Sequence, residues 1–285
     1  MHETTHAGDA TERTRSAIHQ GYRTIAVLGG DGTLSEAAQG FFEFRSESTQ
    51  SINPLAALAV LPAGTGDDFA RGLRGQRAPL NDWIQTLIAH LQTQHHTHIR
   101  TVDVISGRSN NFTQPFISLN ASTLGIGGET GARVAAQGGF MRRFSGETRF
   151  LFAAATSVAM WRERRVRVIV DEEALADGPM NLVAVANNAY AGAGMMLSPK
   201  ATIDDGKLDV VIATGLSRTN VIRELPRLHS GGHVANPKVR IAQGTYARIE
   251  TFSEDDALLI EADGNVRGRT PADYRVLPAA LRFVV

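Results

Sequence analysis

The apolar run Thr24-Ile25-Ala26-Val27-Leu28 stops at Gly29-Gly30-Asp31-Gly32-Thr33, and that junction constrains the fold more than any other feature of the chain. A short apolar run closed by glycines predicts a buried strand that ends in a turn. Glycine admits the positive φ of such a turn and lets a ligand approach the backbone without meeting a Cβ. A helix is expected from about residue 33 to 44, with Thr33 and Glu36 at capping-box spacing. Its first turn would offer unpaired N–H groups and the positive end of a dipole to an anion. An acidic residue inside a turn suited to phosphate calls for Mg²⁺ or a proton-transfer role. Asp31 therefore points to kinase-type nucleotide chemistry rather than to a passive anion nest.

The same pattern recurs one βα unit downstream. The run Leu55 to Leu61 leads into Pro62-Ala63-Gly64-Thr65-Gly66-Asp67-Asp68-Phe69-Ala70-Arg71. In open parallel sheets, ligands sit beyond the carboxyl ends of adjacent strands, so two glycine turns there form a nucleotide cleft. A helix reaching Gln20, strands at 24–28 and 55–61, and helices at 66–73 and 80–93 alternate as in a parallel α/β sheet. The polar stretch Gln92–His98 reads as a boundary. Beyond it strand signals dominate, at 99–105, 116–120, 166–170, 182–186, 208–213, 247–252, 258–261 and 281–285, with one helix at about 147–161. The expectation is an α/β nucleotide-binding domain over 1–98 and a β-rich antiparallel sandwich over 99–285, whose last strand returns to the first domain.

Composition narrows the partners. The 29 basic and 29 acidic residues cancel, so no global field recruits nucleic acid. Absence of cysteine removes disulfide and thiolate chemistry. No apolar run is long enough for a bilayer span, and Met1–Gln20 lacks the core of a signal peptide. The expected location is cytoplasmic and peripheral to a membrane. Arg142, Arg143, Arg149, Arg162, Arg164, Arg165 and Arg167 concentrate positive charge in the middle, a pattern that most often marks a solvated face. His90, His95, His96 and His98 read as a solvated linker rather than a metal site.

The two glycine turns together resemble the diacylglycerol kinase catalytic family, whose patterns are G-G-D-G-T-x-N-E and P-x-G-T-x-N-D-F-A-R. The resemblance continues through Phe116–Asn120 with Gly125-Ile126-Gly127, and through Ala186-Asn187-Asn188 to Gly192-Ala193-Gly194 and Pro199-Lys200-Ala201. Asp204-Asp205-Gly206-Lys207-Leu208-Asp209-Val210 matches D-D-G-x-L-D-V, and Gly232-His233 follows. The resemblance implies a Rossmann-like ATP domain, here lacking the family's first strand, and phosphate transfer to a lipid hydroxyl, with diacylglycerol as the default acceptor. It implies ATP contacts at Thr4, Gly29, Gly30, Asp31, Gly32, Thr33, Glu36, Gly64, Thr65 and Gly66. It also implies a structural Mg²⁺ held by Asp205 and by the carbonyls of Thr202 and Lys207, oxygen donors that suit this ion. A lipid substrate at a membrane surface is the implied partner, and a homodimer is left open.

Departures carry equal weight. Ser35 and Asp67 stand where the family has asparagine, and only about 28 residues precede Gly29. At Asp263-Gly264-Asn265 the family reads D-G-E, with that glutamate as proton acceptor; Asn265 cannot accept a proton at neutral pH. Asp31 is the remaining candidate base, Glu261 a weaker substitute, and Asp263 reads chiefly as a hairpin-turn residue. Besides a lipid kinase, two readings stay open: a weak or inactive homologue that binds nucleotide or lipid, and an NAD kinase, which shares the first loop.

Overall fold

The computed structural model describes residues 2–45, 48–93, 97–110, 114–138, 141–144 and 146–285. The first part runs α1 (Asp9–His19), β1 (Thr24–Gly29), α2 (Asp31–Gln39), a small hairpin β2 (Phe42–Phe44) and β3 (Thr49–Ser51), β4 (Ala57–Pro62), α3 (Asp68–Arg74) and α4 (Leu80–Gln92). β1 and β4 pair in parallel, Thr24 opposite Ala57 through Gly29 opposite Pro62, so both glycine turns leave the sheet at one edge. Gly40 lets α1 and α2 cross closely, since a Cβ there would lie 2.6 Å from the Thr11 carbonyl oxygen. The core beneath is Leu34, Phe41, Phe42, Leu58, Phe69 and Trp83 with their neighbours.

β5 (Ile99–Ser109), β6 (Phe116–Ser118), β7 (Ala121–Gly125), α5 (Ile126–Ala135) and α6 (Gly146–Met160) follow. Next come β8 (Arg164–Val170), β9 (Glu173–Ala186), the short β10 (Tyr190–Ala191) and β11 (Met195–Met196), β12 (Leu208–Thr214) and α7 (Arg218–Leu228). The chain ends with β13 (Val239–Gly244), β14 (Tyr246–Thr251), β15 (Leu259–Ala262), β16 (Asn265–Arg269) and β17 (Ala272–Val284). Among the described residues a thirteen-stranded sheet runs β1-β4-β17-β14-β8-β9-β7-β15-β16, with β5, β6, β12 and β13 branching from it. The end of β17 pairs in parallel with β4, Arg282 opposite Ala57, while 272–277 and 281–284 pair antiparallel with β5 across an irregularity between them. The fold is thus an α/β part built on a parallel pair and a β-rich antiparallel part, joined through one shared strand.

Several expectations are corrected. α2 starts at Asp31 with Gly30 as its cap and stops at Gln39. Thr33 is therefore the third helical residue and forms no capping box; Glu36 instead accepts from the Gly8 N–H at 3.0 Å. The expected tail of that helix is the strand β2, because Phe42 packs into the core while Glu43 faces out. Among the described residues the β-rich part carries three α-helices rather than one: glycine in α5, and proline and polar residues in α7, obscure the helical pattern in the sequence. His90 is not a solvated linker residue. It is wholly buried, with Nε2 3.1 Å from Thr24 Oγ1 and Nδ1 2.8 Å from the Thr97 carbonyl oxygen. His95 and His96 lie outside the described residues.

Candidate active site

The two glycine turns touch. A Cβ on Gly30 would lie 3.2 Å from Gly64 Cα, and one on Gly64 would lie 2.6 Å from Gly30 Cα. Only hydrogen atoms fit between these backbones, which explains the residue type at both positions. Gly29 packs its α-carbon against Thr33, where a Cβ would sit 3.1 Å from the threonine Cβ.

Asp31 does not turn inward on its own helix. Its Oδ2 accepts from the Asp68 N–H at 3.0 Å, and its Oδ1 accepts from the Phe69 N–H at 3.0 Å. Asn120 Nδ2 also donates to Oδ1, at 3.2 Å. Asp31 thereby caps α3 and ties both turns to the start of β7. Asp68 repeats the device, accepting from Ala193 and Gly194 N–H at 2.9 and 2.7 Å. Burial, with the Asp31 carboxylate beside it adding to the effect, pushes the Asp68 carboxyl up to about 7. Asn188 completes the knot by donating from Nδ2 to the Asp68 carbonyl and to Asn120 Oδ1, both at 2.8 Å.

Asp263 and Gly264 form the two-residue turn between β15 and β16, with φ of 48° and 88°. That geometry is the primed hairpin turn read from Asp-Gly. Its carboxylate, however, reaches across to the segment before β7. Oδ2 accepts from the Leu119 N–H at 2.7 Å. Oδ1 accepts from Asn120 and Ala121 N–H at 2.9 and 3.3 Å and from Ser118 Oγ at 3.2 Å. Burial raises the Asp263 pKa against the pull of those donors.

Glu261 occupies a niche built for it. Thr123 Oγ1 donates to Oε2 at 2.7 Å and the Gly264 N–H donates to Oε1. Gly131 of α5 leaves the room, since a Cβ there would lie 2.6 Å from Glu261 Cγ. Burial pushes the Glu261 carboxyl up to about 7. Asn265 lies apart, its Nδ2 3.4 Å from the Asp263 carbonyl oxygen, and the described cavity wall does not include it.

These groups open onto a cavity of about 510 Å³. Asp31, Gly32, Thr65, Asp68, Glu261 and Asp263 form its polar wall. Ile126, Phe150, Leu182, Met195, Val211 and Leu225, from α5, α6, α7 and the strands, supply apolar lining, and Arg149, Glu224 and His233 also reach the wall.

Of the expected ATP contacts, Asp31, Gly32 and Thr65 line this cavity, and Gly30, Gly64 and Gly66 stand behind them. Thr4 is exposed, and Glu36 accepts from the Gly8 N–H. Arg71, in the second glycine-turn segment, is engaged by the neighbouring loop. It donates to the Gly194 carbonyl oxygen at 3.3 Å and lies over the Tyr190 ring. The arginine cluster is likewise dispersed: Arg149 bonds Gln137 beside the cavity, Arg167 pairs with Asp177, and Arg165 stacks on Phe252. Thr202, Asp205 and Lys207 share one exposed turn, where Asp205 Oδ1 accepts from the Lys207 N–H at 3.0 Å. Asp68, Asn120 and Asn188 were not singled out as site residues from the sequence, although each falls in a segment that resembles the family pattern.

A glycine-lined turn pair at the carboxyl ends of parallel strands, opening onto a cavity in a β-rich partner, defines a two-part architecture. Residues 1–106 match the diacylglycerol kinase catalytic domain, and residues 125–285 match the YegS C-terminal NAD kinase beta sandwich-like domain. The chain belongs to this diacylglycerol kinase and YegS family. It is 26% identical over 280 residues to a protein of Mycobacterium tuberculosis named diacylglycerol kinase, covering 98% of this chain and 82% of that one. It is 27% identical over 277 residues to a Pseudomonas aeruginosa protein named "Probable lipid kinase YegS-like", covering 96% and 80%. A solved structure of a diacylglycerol kinase from Bacillus anthracis shares the fold with a TM-score of 0.67 at 20% identity, over 99% of this chain and 82% of that one.

Proposed function

We propose that the protein transfers the γ-phosphate of ATP to a lipid hydroxyl, with diacylglycerol as the acceptor. The observation that carries this is the single cavity in which Asp31, Gly32 and Thr65 face the same space as Ile126, Phe150 and Leu225. A phosphate group and an acyl chain then share one site, each against chemistry that suits it. Gly32 lines the cavity at the start of α2, where a Cβ would make only an ordinary contact, 3.9 Å from the Asp263 carbonyl oxygen, and a helix start suits a phosphate. The bound Mg²⁺–ATP would supply the phosphoryl group and neutralise its developing charge.

The chain's own residues divide the work. Asp31, with its oxygens taken by Asp68, Phe69 and Asn120, holds the two turns in register as a positioning group. Glu261 is the proton acceptor in place of the family's glutamate at 265. It stands on the polar wall of the cavity, and a carboxyl near 7 is matched to taking a proton from an alcohol at working pH. Thr202, Asp205 and Lys207 would hold a structural Mg²⁺. Their turn is fixed from below by Asp103, which accepts from Gly206 at 2.6 Å and Ala279 at 2.7 Å. The enzyme would work in the cytoplasm, at the surface of a membrane that supplies the lipid.

The test is transfer of labelled γ-phosphate from Mg-ATP into micelles of diacylglycerol, sphingosine or ceramide, with NAD as a soluble acceptor. Label in diacylglycerol supports the assignment; label in NAD alone overturns it in favour of a nicotinamide kinase. Glu261→Gln should abolish turnover. Full activity in Glu261→Gln would remove the glutamate from that role. No label in any acceptor, with ATP still bound, would favour the non-catalytic reading that Asn265 motivates.

A further inference from the structure

α7 presents Val221, Glu224, Leu225 and Leu228 to the cavity. Spacings of three, four and seven residues put them on one side of the helix, the side where apolar residues belong. Glu224 breaks that pattern. It is 8% exposed, and only one of its oxygens is satisfied. Oε1 accepts from Arg227 Nη1 at 3.0 Å and from Asn236 Nδ2 at 2.9 Å. Oε2 is buried with no donor among the described residues.

His233 reaches the same wall from the turn Gly232–Ala235 and is 3% exposed. Its Nε2 lies 3.1 Å from the Leu197 carbonyl oxygen; a carbonyl only accepts, so that nitrogen carries the proton. Burial lowers the His233 pKa, which keeps the ring neutral at physiological pH. Nδ1 is then a bare acceptor, buried and without a partner among the described residues. Two acceptors cannot satisfy each other, and leaving both unpaired is costly, so the pair suits a ligand that brings the hydrogens.

Strand order fixes where the pair sits. β15, β7, β9, β12 and β13 lie side by side. Glu261, Thr123, Leu182, Val211 and Val239 line the cavity from those strands in that order. Glu261 stands at one end of the row, and the turn holding His233 packs on β13 at the other. Three to four strand spacings separate the ends by roughly 14–19 Å. A group beside the reacting hydroxyl cannot span that gap, whereas the middle of an acyl chain can.

We infer that Glu224 and His233 form a polar subsite at the far end of the cavity that receives a hydroxyl group carried along the acyl chain of the lipid. The inference rests on the lipid-kinase reading for what fills the cavity, but not for its test. The test is displacement of a fluorescent polyene fatty acid from the full chain by methyl ricinoleate, whose chain bears a hydroxyl, or by methyl oleate, whose chain does not. Wild type should bind the ricinoleate at least about tenfold more tightly, because a buried acceptor rejects a chain that leaves it unpaired. Glu224→Leu combined with His233→Phe should erase the preference and tighten methyl oleate. The Nδ1 nitrogen resonance of His233, assigned by its loss in His233→Phe, should shift on adding methyl ricinoleate and stay in place with methyl oleate. Equal binding of the two esters by wild type would overturn the inference, as would a preference unchanged in the double variant or an Nδ1 resonance that ignores both. Neither ester has a hydroxyl at its head, so this result does not depend on phosphotransfer. Diricinolein should be phosphorylated with a kcat/KM at least about tenfold above that of diolein. Ester preference without phosphorylation of either glyceride would support the subsite and count against the kinase reading alone. Equal phosphorylation of both glycerides with no ester preference would overturn the subsite alone.

Discussion

Gly30 and Gly64 are packed backbone to backbone, with 2.6 Å between the Gly30 α-carbon and the place a Cβ on Gly64 would occupy. The contact sets the width of the cleft between the two turns.

Gly64→Ala must therefore move one turn, because the obstructing atom is backbone and cannot rotate away. The expected result is a loss of about 1–3 kcal/mol in stability, the usual cost of overpacking. ATP affinity should fall further than stability alone explains. Urea denaturation and nucleotide titration of the same variant separate the two.

Asp263→Asn keeps the shape of the side chain but removes one acceptor oxygen from a site where Leu119, Asn120, Ala121 and Ser118 all donate. At least one buried N–H is left facing an amide NH₂. A cost of about 2–3 kcal/mol is expected from the unpaired donor and the lost ionic hydrogen bonds. Chemical denaturation checks it, and a variant as stable as wild type would show that the carboxylate does not hold the turn.

Gly131→Ala weighs helix propensity against crowding. Alanine in place of glycine inside α5 contributes about 1 kcal/mol. Its methyl group would meet Glu261 Cγ at 2.6 Å and force that side chain to shift. Global stability should stay within about 1 kcal/mol of wild type, while phosphotransfer falls at least about tenfold if Glu261 takes the proton. A variant that is both stable and fully active would separate the Glu261 niche from the chemistry.

Stability should fall as pH rises from about 4.5 to about 7. Glu261, buried, keeps its proton up to about 7, whereas the unfolded chain releases it near 4.5. Across that window the folded state binds the additional proton, so raising pH favours unfolding. Asp68, pushed up to about 7 by burial and by Asp31, acts in the same direction. The full Glu261 shift corresponds to about 3 kcal/mol as an upper bound. Unfolding free energies measured at pH 5 and pH 7.5 should show the decline, and Glu261→Gln should flatten it. Equal slopes in the two proteins would place the titration elsewhere.

What the sequence determined by itself is local. Strand-then-glycine junctions at Leu28–Gly29 and Leu61–Gly64, and the Asp263-Gly264 turn, were legible because each depends on backbone freedom within a few residues. Motif order along the chain made the family legible for the same reason. Boundaries that depend on distant partners were not. α2 ends at Gln39 because Phe42 finds the core, and His90 is buried because Thr24 and Thr97 meet it from other elements. Only the tertiary structure decided that Asp31 caps α3 instead of its own helix, that Asp263 grips the 118–121 segment, and that Glu261 rather than Asn265 faces the cavity. The physical reason is that a buried carboxylate must find donors or keep its proton. Which donors it finds depends on residues tens to more than a hundred positions away, and local pattern does not encode that.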